Sequence, residues 1–124
     1  SRSLTFAMSL TIYHNPRCSK SRKTLELIRS KGIEPSIVEY LKAPPDAATL
    51  ARLTSLLGMP LSDILRRKEE DFRNAGDSIP LDDADALAAW VSEHPKVLER
   101  PIVVDEDGGR AIMGRPPENV LELL

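Results

Sequence analysis

A chain of 124 residues, 41% of them hydrophobic, is the size of one compact domain with a single core. Its formal net charge of -2 argues against a dedicated nucleic-acid binder, and no apolar stretch approaches the ~20 residues that a membrane span needs. The single cysteine can form no internal disulfide, so the expected setting is a reducing compartment, the cytoplasm.

Residues 1–8, SRSLTFAM, lack the apolar run of a signal peptide. They are read as a leader or cloning remnant, expected to be disordered, with Met8 as the natural start and a single domain over 9–124. The alternation of Leu10, Ile12 and His14 with Thr11 and Tyr13 predicts a strand over about 9–13. In SKSRKTLELIRSKG, Thr24, Leu25 and Ile28 share one helical face, and Gly32 stands where a C-terminal cap is expected. PSIVEYL reads as a second strand, with Pro35 tolerable only at its start. Strand, helix and strand within so short a span make a βαβ unit, which implies parallel pairing and a right-handed crossover.

The next stretch, about 45–94, reads as helical and carries no strand signals. Asp46 is placed to cap a helix with an apolar face at Leu50, Leu53 and Leu57, and Gly58 to stop it. One or two short helices follow, ending near Gly76. Another helix is capped by Asp82 or Asp83 and halted at Pro95. Beyond it, PIVV and RAIM read as strands joined by the turn-forming DEDGG, and RPPENVLELL as a terminal helix with prolines at its entry. The order β-α-β, helices, β-β-α is an α/β plan: a thioredoxin-like mixed sheet with a helical insertion between its halves.

Cys18 stands between that first strand and helix, in HNPRCSKSR. Unpaired N–H groups and the positive end of the helix dipole favour a thiolate there. Arg17, Lys20 and Arg22 add positive charge, Ser19 and Ser21 bring hydroxyl groups, and Asn15 and Pro16 stiffen the loop. An inert buried thiol is the common fate of a free cysteine, but the polar neighbours make this a poor core position. His14 reads equally as a structural histidine or as a group polarising the loop. With C-x-x-S in place of C-x-x-C, any redox cycle through Cys18 needs an outside thiol to complete it, such as glutathione or a glutaredoxin. Low-molecular-weight phosphatase chemistry is excluded by spacing, because Arg22 follows the cysteine too closely for that loop.

The segments IYHNPRCSKSR, TLELIRSKGIEP, YLKAPP, LRRK, RPIVV and GRPPENVLELL together resemble the glutaredoxin-coupled arsenate reductase family, from about Ser9 to the C-terminus. The resemblance implies a thioredoxin-like fold with a helical insertion. It matches Cys18 to the nucleophile, His14 and Ser21 to groups that keep the cysteine ionised, and Arg66, Arg100 and Arg115 to oxyanion-binding arginines. It also matches Pro101 to a cis proline beside the site. The implied reaction is reduction of arsenate, or a similar oxyanion, to arsenite. Glutathione is the co-substrate and glutaredoxin the partner that releases the mixed disulfide; no bound cofactor, metal, nucleic acid or membrane is expected. Family members more typically carry HNPACGTSR, whereas this chain has Arg17, Ser19 and Lys20 around its cysteine. The residues themselves leave two other readings: a monothiol glutathione-dependent oxidoreductase with another substrate, and a redox-independent partner-binding regulator.

Overall fold

The computed structural model describes residues 9–124, so the leader reading falls outside the described residues. Two compact units are present, one of residues 9–39 with 100–124 and the other Tyr40–Glu99. The first is the thioredoxin-like sheet. Strand β1 (Leu10–His14) leads to helix α1 (Ser19–Ser30) and strand β2 (Ser36–Glu39), and strands β3 (Ile102–Asp105) and β4 (Arg110–Met113) form a hairpin. Sheet order is β2-β1-β3-β4, with β1 parallel to β2 and antiparallel to β3, and β3 antiparallel to β4.

Period-two alternation sends Leu10 and Ile12 to one face of β1, and the register sets Ile12 opposite Val103. These side chains pack with Leu25 and Ile28 of α1 and with Val120 and Leu123 of the C-terminal segment in one apolar cluster. Helix α1 ends at Lys31, and Gly32 turns the chain out with φ 79°. The hairpin turn is held by Asp105, whose Oδ1 accepts the Gly108 N–H at 2.9 Å.

The C-terminal segment departs from the expected α-helix. Pro117–Leu123 is a 3-10 helix throughout. Its buried residues are Pro117, Val120 and Leu123, each three positions after the last. A winding of three residues per turn keeps all three on one face, which an α-helix would not. At its entry Asn119 Nδ2 donates to the Met113 and Arg115 carbonyls at 3.3 and 3.2 Å, fixing the tight first turn.

In the second unit, helix α2 (Ala47–Leu57) packs against helix α4 (Ala84–Glu93), with the short helix α3 (Glu70–Ala75) and brief 3-10 turns between them in sequence. Asp46 and Asp83 cap α2 and α4, accepting the Thr49 and Ala86 N–H groups at 2.8 and 3.1 Å. Gly58 closes α2 in the left-handed conformation. Leu50, Leu53, Leu87 and Val91 are buried. One isolated antiparallel bridge, Leu65 to Leu98, interrupts the otherwise helical block.

Gly114 stands at a close approach between helix α1 and the hairpin of the first unit. A Cβ there would sit 2.7 Å from Thr24 Oγ1 and 2.8 Å from Pro101 Cγ, and Thr24 is fully buried. Neither a proline ring nor a packed threonine can swing aside. Gly114→Ala is expected to cost about 1–3 kcal/mol through overpacking. Urea unfolding should show a lower midpoint at unchanged slope; an unchanged midpoint would mean that the chain relaxes freely there.

Candidate active site

The loop from His14 to Cys18 is closed by hydrogen bonds that Asn15 organises. The Asn15 carbonyl accepts the Cys18 N–H at 3.0 Å, and its side-chain Oδ1 accepts the Arg17 N–H at 2.9 Å. Its own N–H donates to Ser21 Oγ at 3.1 Å. Arg22 Nη1 donates to the Pro16 carbonyl at 2.8 Å, latching the loop from the second turn of α1. These contacts fix Cys18 as the N-cap of α1, with extended φ/ψ of -95° and 121° and partial exposure.

The sulfur forms no closed capping hydrogen bond, yet the helix acts on it. Burial pushes the Cys18 thiol up. The Ser21 N–H, the Arg100 side chain, the Lys20 N–H and the Arg100 charge pull it down, and the net direction is below the ordinary thiol value. Those amides are the second and third N–H groups of α1, the pair that an N-cap side chain ordinarily serves. A thiolate there answers unpaired donors, as a carboxylate cap would.

His14 ends β1 and is buried. Its Nδ1 lies 2.6 Å from Ser21 Oγ. Burial is the main influence and lowers its pKa; Glu39 raises it, Arg29 and Arg22 lower it, and the net direction is down. The ring is therefore neutral at neutral pH and acts through its hydrogen bond to Ser21, with no positive charge of its own. With the proton on Nε2, Nδ1 accepts a hydrogen bond from the Ser21 hydroxyl, while Ser21 Oγ accepts from the Asn15 N–H. Ser21 thus faces two ways: its amide bears on the sulfur and its hydroxyl on the imidazole.

Arg100 and Arg115 come from the β3–β4 hairpin, whose first strand pairs directly with β1. Arg100 precedes β3 and Arg115 follows β4. Both Arg100–Pro101 and Arg115–Pro116 peptide bonds are cis. Arg115 Nη1 donates to the Arg100 carbonyl at 3.3 Å, and the Gly114 N–H to the Pro101 carbonyl at 2.9 Å. Arg100 Nε is buried and, among the described residues, has no hydrogen-bond partner. The first unit thus gathers Cys18, His14, Ser21, Arg100, Pro101 and Arg115. Arg66 belongs to the second unit, where its Nε is 3.7 Å from Glu99 Oε1 and its N–H donates to the Val97 carbonyl at 2.6 Å.

Sequence reading missed the Arg22 latch, the second cis bond and the Thr24–Gly114 approach, in which Thr24 Oγ1 reaches the Gly114 carbonyl at 3.5 Å. A glycine directly before Arg-Pro-Pro was the one available signal of that close packing.

The chain matches the ArsC family over residues 13–123. It is 48% identical over 116 residues to the uncharacterized protein YfgD of Escherichia coli, covering 91% of this chain and 94% of that one. It is 43% identical over 119 residues to a Haemophilus influenzae protein named arsenate reductase, covering 94% of this chain and 100% of the relative. A solved structure, the arsenate reductase from Vibrio cholerae, superposes with a TM-score of 0.88 at 47% identity, covering 95% of this chain and 99% of its own.

Two outcomes follow from the site's electrostatics. Arg100→Ala should move the midpoint of the pH–rate profile for Cys18 alkylation upward, since a donor and a charge are lost together; a midpoint that stays put would remove Arg100 from the sulfur's environment. His14 carries the second. Its folded pKa lies below the ordinary 6.5, so the unfolded chain takes up the proton first as pH falls. Its contribution is whole above that value and is lost as pH drops from there towards the lowered folded pKa. Urea midpoints measured across this window should fall in the native chain, and His14→Gln should lack that component of the fall.

Proposed function

The chain belongs to the ArsC family, and on that premise we propose that it is an arsenate reductase with Cys18 as its nucleophile. The observation that carries the reading is a thiol held below its ordinary pKa at a helix N-terminus with Arg100 against it. The comparisons support the substrate, because the relative named arsenate reductase is covered along its whole length. Buried Arg100 Nε, unpartnered among the described residues, suits an anion with more acceptor oxygens than one sulfur can offer.

The chemistry is as follows. The Cys18 thiolate attacks arsenic of arsenate, and an oxygen leaves as water after protonation, leaving a sulfur–arsenic bond. A thiolate of glutathione then enters. As the Cys18–glutathione disulfide forms, two electrons pass to arsenic, which departs as arsenite. The sum is one arsenate and two thiols giving one arsenite, one disulfide and one water. A glutaredoxin thiol releases Cys18 from the mixed disulfide. The chain has one cysteine, so both reducing thiols come from outside.

Each residue has a task in this scheme. Arg100 and Arg115 neutralise the oxyanion as it meets an anionic sulfur; family resemblance alone matches Arg66 to an oxyanion-binding arginine. His14 and Ser21 hold the loop in register so that helix amides face the sulfur. Pro101 turns the backbone at Arg100. A reducing compartment, the cytoplasm, suits a catalytic thiol without a disulfide partner. A monothiol oxidoreductase acting on another substrate is the competing reading, favoured by the cationic residues Arg17 and Lys20 beside Cys18; it needs the thiolate but not the arginines.

The test is arsenate-dependent NADPH oxidation with glutathione, glutaredoxin and glutathione reductase. Activity should vanish in Cys18→Ser, and Arg100→Ala and Arg115→Ala should each lower kcat/KM by roughly 100-fold to 1000-fold, the usual cost of one oxyanion donor. No arsenate turnover by a protein whose Cys18 still titrates low would move the assignment to the competing reading.

A further inference from the structure

Helix α1 begins against the electrostatic grain. Acidic residues are favoured in a helix's first turn, where the dipole is positive. Helices α3 and α4 follow this rule, with Glu70 and Asp71 in one and Asp85 in the other. Helix α1 has no acid in its first turn and carries Lys20 there, two residues after the capping Cys18 and three after Arg17. Glu26, the single acid in α1, lies two turns farther on. Both Arg17 and Lys20 are exposed, and among the described residues neither is held in an ion pair. Two other cations of the chain, by contrast, are paired: Arg29 with Glu34 and Arg110 with Asp105.

Two sets of cations therefore surround Cys18. Arg100 and Arg115 are half-buried; Arg115 is tied to the Arg100 carbonyl, and Arg100 has its Nε buried. Arg17 and Lys20 stand outside, with free side chains and mutual repulsion that folding alone would not select. An inner pair fixed in place suits a small oxyanion. An outer pair on long, mobile stems suits a larger anion that arrives later and leaves.

We propose that Arg17 and Lys20 form a rim that selects the incoming thiol, favouring one that bears carboxylates over a neutral or cationic one. This rests on the reading of Cys18 as a thiolate reduced by an outside thiol, and it assigns the residues that recognise that thiol. The carboxylates meet the two cations while the sulfur is delivered in line with Cys18 Sγ. The field of two unpaired charges at the mouth of the site raises the local concentration of anions and is weakened by salt.

The step can be followed without arsenate. Cys18 is first converted to its mixed disulfide with thionitrobenzoate. An added thiolate attacks Cys18 Sγ, a new disulfide forms, and the electron pair of the broken bond leaves with coloured thionitrobenzoate. Mercaptosuccinate (two carboxylates), β-mercaptoethanol (neutral) and cysteamine (cationic) serve as probes. Each rate is divided by that of the same thiol with the free aryl disulfide, which removes intrinsic nucleophilicity. Mercaptosuccinate should exceed β-mercaptoethanol in the native protein by about threefold to tenfold more than in the Arg17→Gln/Lys20→Gln double variant. Cysteamine should change in the opposite direction, and high salt should erase the difference. A ratio that is the same in both proteins would overturn the rim, even with arsenate turnover intact. If arsenate turnover fails while the ratio behaves as expected, the oxyanion assignment falls and the rim stands.

Discussion

Strand register is the constraint on which the site depends. Parallel pairing of β1 with β2 obliges the chain to cross over through α1, so the N-terminus of α1 opens at the carboxyl end of β1. Antiparallel pairing then brings distant segments to that same end. Tyr13 stands opposite Ile102, so Arg100 and Pro101 lie beside the point where β1 gives way to the cysteine loop. Ile102 in turn stands opposite Met113, which sets Gly114 and Arg115 against Pro101 and Arg100. A slip of one residue in either pairing would turn the Ile12–Val103 core contact outward as well as scatter the site. Stability of the sheet and assembly of the site are therefore secured by the same hydrogen-bond ladder.

The capping residues show how stability and chemistry part company. Asp46 and Asp83 each accept an N–H from the helix they begin, which ties their carboxylates down. Cys18 has the same place on α1 but closes no such bond. A thiol is a poor acceptor, so the α1 amides are satisfied poorly until the sulfur is ionised or an anion approaches. The Ser21 and Lys20 amides, together with Arg100, make the thiolate favourable, and a better cap would take the amides from it. Asn15 makes this tolerable by holding the loop through its carbonyl, side chain and amide at once.

Much of this was legible in the residues. Strand and helix periods around the cysteine, the caps at Asp46 and Asp83 and the stop at Gly58 follow from local rules that act within a turn or two. The terminal segment shows where local rules give out. ENVLELL satisfies an α-helical pattern, and only the partner surface decides that Pro117, Val120 and Leu123 must share a face, which favours 3-10 winding. The role of His14 could not be read either, because it turns on burial: a ring near α1 cations loses its proton, and its use shifts from charge to hydrogen bonding. Arg100 and Arg115 were singled out through family resemblance, since an arginine before proline has no local mark of function. Their mutual contact appears only once β3 and β4 are paired.

The ordering of charge around Cys18 bears on the sequence of events in turnover. In the proposed reaction a thiolate, an arsenate and a carboxylate-bearing thiol are all anions, and no single cation could neutralise them in succession without holding one too long. Backbone amides of α1 answer the thiolate, and they are fixed by the helix. Arg100, with its Nε buried, answers a small anion at the sulfur and loses little conformational freedom in doing so, because burial has already restricted its rotamers. Exposed Arg17 and Lys20 must be ordered on each encounter, which weakens what they hold and lets it go. Burial thus grades the three groups from permanent to transient, in the order in which the reaction would call on them.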